Sequence, residues 1–117
     1  MKITIKNRYT KKTTFQKIFG DSPLIKVIDF FLDNQEWDYA KIQISESTKI
    51  SRVTLNDILE KLLKSGFIKA TRTVGNSTFY QINGENIVAR NLIQFDLNLS
   101  LGQMPQGGEA KKQKIPA

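Results

Sequence analysis

Ser51, Arg52, Thr54 and Asn56 stand within six residues of one another, and their side chains are suited to directional hydrogen bonding. An arginine can pair with guanine or grip a phosphate, and an asparagine can pair bidentately with adenine. Ser51 is in the first place a helix cap, and Thr54 can serve the same local bonding. The chemistry on offer is recognition rather than bond-making. The chain has no cysteine and no histidine, which removes thiolate zinc sites and disulfides along with the commonest general base, metal ligand and nucleophile partner. The carboxylates and lysines that remain fall in no catalytic spacing. No enzymatic activity, metal or cofactor is expected.

Charge points the same way. Eighteen Lys and Arg against eleven Asp and Glu leave the 117 residues at +7, and that excess is patterned. Residues 1 to 20 hold six cations and no acid; residues 21 to 60 hold four cations and eight acids; residues 61 to 90 return to five cations against Glu85 alone. A polyanion would be drawn to the first and third of these stretches. The alternative is a charged surface that serves solubility only.

These residues need elements to position them. Phe15, Ile18 and Phe19 have the spacing of one helical face, closed by Gly20. Asp21-Ser22-Pro23 is a helix start, and Leu24, Val27, Ile28, Phe31 and Leu32 line one face of the helix that follows, to about Asn34. After a polar break, Tyr39 to Thr48 reads as a short helix. Ser51 then caps a helix whose residues Leu55, Ile58, Leu59, Leu62 and Leu63 form a core face, while Arg52, Thr54, Asn56, Asp57, Glu60 and Lys61 stay outside. Gly66 ends it. Phe67 to Val74 and Thr78 to Ile82 are rich in β-branched and aromatic residues around the turn Gly75-Asn76-Ser77, the pattern of a hairpin.

Residues 85 to 101 carry two patterns. Val88, Leu92, Phe95 and Leu99 follow helical spacing, whereas Ile93, Phe95, Leu97, Leu99 and Leu101 alternate as in a strand. The length of the run and the polar turn Asn83-Gly84-Glu85 favour a helix. A basic arm at 1 to 12 and a Gly- and Lys-rich, disordered tail at 102 to 117 flank the body. No segment has the apolar length of a signal peptide or membrane span, so a cytoplasmic protein without membrane contact is expected.

In this order, helices, a tight turn at Lys49-Ile50-Ser51, a helix and a hairpin, residues 13 to 98 resemble archaeal and bacterial winged helix-turn-helix transcriptional regulators, broadly of the MarR and ArsR types. The strongest local match runs from Lys49 to Lys69, with a capping Ser, a Thr three residues later, paired leucines and a Gly before the first wing strand. A second runs from Thr71 to Asn83. The resemblance implies a mainly α fold with a small β-hairpin, a winged helix-turn-helix over residues 13 to 84 and a dimerisation helix over 85 to 101. It implies double-stranded DNA as partner, read in the major groove by the helix 51 to 65 and touched at the backbone or minor groove by the wing. Ser51, Arg52, Thr54, Asn56, Lys61, Arg72 and Asn76 are the expected DNA contacts. Asp57 departs from the basic character of such a helix. Val88, Leu92, Phe95 and Leu99 are the expected seam of a homodimer, the alternative being a helix packed on its own domain. A protein-interaction module and a non-specific nucleic-acid-coating protein remain the competing functions.

Overall fold

The computed structural model describes residues 12 to 102; most of the basic arm and the tail after Gly102 lie outside the described residues. The fold is mostly helical, with one small three-stranded antiparallel sheet, and is compatible with a winged-helix arrangement.

Helix α1 (Thr14–Phe19) starts where the Thr13 hydroxyl accepts from the Gln16 amide, 3.0 Å away, and stops at Gly20, whose φ of 96° suits a residue without Cβ. Helix α2 (Pro23–Asp33) begins as the sequence indicates, with Ser22 accepting from the Ile25 amide and Pro23 in the first turn. Asp29 ties the two helices together: its buried carboxylate accepts from the Thr13 hydroxyl at 2.9 Å and the Gln16 amide group at 2.8 Å. Such bonds matter because a buried donor stripped of its partner costs about 1 to 3 kcal/mol.

Tyr39 and Ala40 correct the sequence reading. They form strand β1 (Tyr39–Ala40), and helix α3 (Lys41–Thr48) begins only after them, with the Gln43 side chain accepting from the Ala40 amide. Tyr39 is buried against Phe30, the ring centroids 5.1 Å apart, and its backbone pairs with Tyr80. A two-residue strand has no periodicity of its own, and its partner lies forty residues further along the chain.

Helix α4 (Arg52–Ser65) follows α3 after a tight turn. Lys49 takes the left-handed conformation, φ 64°, and donates its amide to the Ser45 carbonyl, while the Ser45 hydroxyl donates to the Ile50 carbonyl at 2.6 Å. Ile50 enters the core. The turn is thus held from both sides. Ser51 caps α4 by accepting from the Thr54 amide, and Gly66 closes it in the left-handed conformation, φ 83°. Leu55, Ile58, Leu59 and Leu62 are buried, each worth about 1.5 to 3 kcal/mol when removed fully from water.

Strands β2 (Ile68–Val74) and β3 (Ser77–Ile82) form the hairpin around Gly75-Asn76, and β1 joins the other edge of β3, giving the order β1-β3-β2. The expected pair of strands is therefore a sheet of three. The β2–β3 register shifts between Ala70 and Arg72, a bulge at Thr71.

Residues 87 to 102 are a helix, α5 (Ile87–Gly102), and the strand pattern is not used. It packs on α1 and α2: Ala89 is fully buried, and Leu92, Ile93 and Leu99 lie against the core. The Asn86 side chain accepts from the Val88 and Ala89 amides and so caps its first turn. Among the described residues no helix is long and apolar enough to cross a membrane.

Candidate functional site

The first turns of α3 and α4 and the tip of the β2–β3 hairpin enclose a groove of about 290 Å³ lined by Lys41, Ile42, Arg52, Asn76, Ser77, Thr78 and Tyr80. Its composition is its main feature. Two cations stand among amide and hydroxyl groups, and no lining residue is acidic. Lys41 and Arg52 are the first residues of their helices, where the helix dipoles present partial positive charge and unpaired backbone amides. Side-chain charge and backbone dipole therefore favour the same kind of ligand, an anion.

The local sequence explains how the walls hold. Arg52 is placed by the Ser51 cap at the start of α4, on the flank of the stripe of Leu55 and Leu59 that anchors the helix in the core, and its side chain is exposed. Asn76 is placed by the two-residue turn, in which Gly75 has a φ of 63°. Tyr80 is half-buried and packs on the core, and pairing with Tyr39 fixes its backbone.

Of the residues expected from sequence, Arg52 and Asn76 meet in this groove. Asn56 is exposed one turn along α4. Ser51 and Thr54 are exposed at the start of the same helix but bonded to one another, the Ser51 hydroxyl donating to Thr54 Oγ1 at 3.2 Å. Lys61 lies further from that end and pairs with Asp57 at 3.6 Å across one helical turn, so the acid that departs from the expected basic character has a partner cation.

Arg72 is placed differently. Its guanidinium makes two bonds to Asp38, Nε to Oδ2 at 2.9 Å and Nη2 to Oδ1 at 3.1 Å, and lies 4.3 Å from the centre of the Phe79 ring. The Thr71 hydroxyl donates to the same carboxylate. Burial pushes the Asp38 carboxyl up, but these hydrogen bonds and the Arg72 charge outweigh it and hold its pKa below the ordinary value. Arg72 fastens the hairpin to the segment before β1.

Lys41, Ile42, Ser77, Thr78 and Tyr80 were not expected at the site. No spacing rule joins them, because the groove is assembled from two helix starts and a hairpin tip.

A second groove, of about 360 Å³, runs between the end of α2 and α5 and is lined by Leu32, Asp33, Gln35, Glu36, Ile93, Asp96, Leu97 and Ser100. Its three acids and lack of a lining cation make it the electrostatic opposite of the first. On α5, Leu92 and Leu99 face the chain's own core, while Val88 is 56% and Phe95 37% exposed. Phe95 meets Phe19 edge-on at 5.9 Å, and Phe19 and Ile18 are themselves about half exposed.

No family model, curated protein or solved structure matches the sequence.

Proposed function

We propose that this protein binds double-stranded DNA sequence-specifically as a winged helix-turn-helix regulator, with α4 in the major groove and the hairpin as its wing. The observation that carries the reading is the acid-free groove between the starts of α3 and α4 and the hairpin tip. Its two cations, Lys41 and Arg52, are the first residues of two helices, where each helix dipole carries its partial positive charge. A phosphodiester backbone brings the charge and acceptor oxygens such a groove accommodates. The exposed first turns of α4, with Arg52 and Asn56, then face the base edges.

The regulator acts as a homodimer in this reading, because two half-sites match a two-fold protein. The Phe19–Phe95 pair between α1 and α5, with the exposed Ile18 and Val88 on the same two helices, is the apolar side-chain surface offered to a second copy in this reading. Leu92 and Leu99, expected at that seam from their spacing, are instead partly buried against the chain's own core.

A salt titration tests the DNA reading. Affinity for a labelled random-sequence duplex should fall linearly in log–log form with salt, and Lys41→Ala should reduce the slope by about one phosphate contact. Binding that does not respond to salt, or an unchanged slope in the variant, would remove the groove from the interface.

A further inference from the structure

Val53 is 79% exposed, more than any other large apolar residue among the described positions. It is the second residue of α4, immediately between Arg52 and Thr54. With 100° of turn per residue, it falls opposite the stripe of Leu55, Ile58, Leu59 and Leu62 that anchors the helix, at the centre of the outward face. Nothing in the fold calls for an apolar side chain there. A β-branched residue is also a poorer helix former than the Lys, Glu or Gln that suit an exposed helix position. The cost is incurred where the helix is best placed for recognition.

Asn56 is Val53's neighbour on the same face, three residues on, with about 5 to 6 Å between Cβ atoms of such a pair. Base pairs stack about 3.4 Å apart, so the two side chains reach the same or adjoining pairs. The apolar feature that base edges present in the major groove is the thymine 5-methyl group, and the amide of an asparagine suits the N6 and N7 of adenine. Both preferences describe A·T pairs.

We infer that Val53 contacts a thymine methyl group in the major groove and, with Asn56, sets a preference for A·T at the base pairs under the first turns of α4. The inference rests on the DNA-binding reading and adds which bases it selects. Arg52, at the flank of this face and in the groove, is left to the phosphate or to a bordering guanine.

Deoxyuridine substitution isolates the methyl group. Duplexes enriched from a random library by the full-length protein are resynthesised with deoxyuridine replacing each thymine in turn, a change that removes the 5-methyl and nothing else. At one position per half-site the replacement should weaken binding by about threefold to tenfold, the effect of losing roughly one buried methyl contact. Val53→Ala should lose a similar factor on the thymine duplex and be indifferent to the replacement, with an unchanged circular dichroism spectrum. A wild-type protein indifferent to every replacement, or a Val53→Ala protein that keeps the wild-type sensitivity, overturns the methyl contact while DNA recognition stands. Enrichment of no sequence overturns both.

Discussion

Arg72 and Asp38, 34 residues apart, are joined by two hydrogen bonds of 2.9 and 3.1 Å, with the carboxylate 17% and the guanidinium 57% exposed. The pair spans from the segment before β1 to the bulged strand β2, so it bears on how the hairpin is held against the body. Because the guanidinium also lies over Phe79, its position is set by a ring as well as by a charge.

A pH dependence follows. The Asp38 carboxyl is held below its ordinary pKa in the folded protein, so the unfolded chain binds that proton more tightly. The resulting stabilisation is present above about pH 4, the unfolded carboxylate range, and is lost as pH falls through the folded value. Asp38→Asn should therefore be less stable than the wild type at pH 7, by about 1 kcal/mol or less given the exposure of the partner. The gap should close on acidification. Denaturant unfolding at pH 7 and pH 3 measures it, and a gap that is constant between the two would show that the pair contributes nothing through its charge.

Arg52→Ala and Asn56→Ala should each weaken binding to a preferred duplex by about 1 to 3 kcal/mol and leave unfolding unchanged, since both side chains are exposed. Lys61→Ala should change affinity far less, because Lys61 lies down the helix and already faces Asp57. Equal losses on preferred and random duplexes for Asn56→Ala would remove its base-reading role.

Assembly separates residues that spacing alone places together. Charging the exposed pair, Val88→Glu with Phe95→Glu, should give a folded monomer in sedimentation with wild-type helicity. Leu92→Ala should instead lower stability, by about 1 to 3 kcal/mol for a side chain partly buried in its own core. A dimer that survives the double substitution would place the two-fold contact on another surface.

Local signals made most of the fold readable in advance. Ser22-Pro23, Ser51, Gly66 and Gly75-Asn76 act on their immediate neighbours, and each does in the structure what its chemistry indicates. What escaped depends on distant partners. Tyr39 reads as the start of a helix until Tyr80 pairs with it. Arg72 reads as a free wing cation until Asp38 is beside it. Lys41 is an unremarked surface lysine until the hairpin tip folds over the start of α3. Along α5, periodicity identified an apolar stripe but not which part of it the body covers; Ala89, too small to weigh in such a pattern, marks the buried centre.

The most direct test of the central claim is the ratio of affinities, at one physiological salt concentration, for the best duplex selected from a random library and for a shuffled duplex of the same length and composition. The account predicts a ratio of about 10³ or more, carried by the outward face of α4 and lost in large part in the Asn56→Ala protein. A ratio near one, with tight and salt-sensitive binding to both duplexes, would contradict it and describe a protein that coats nucleic acid without reading it.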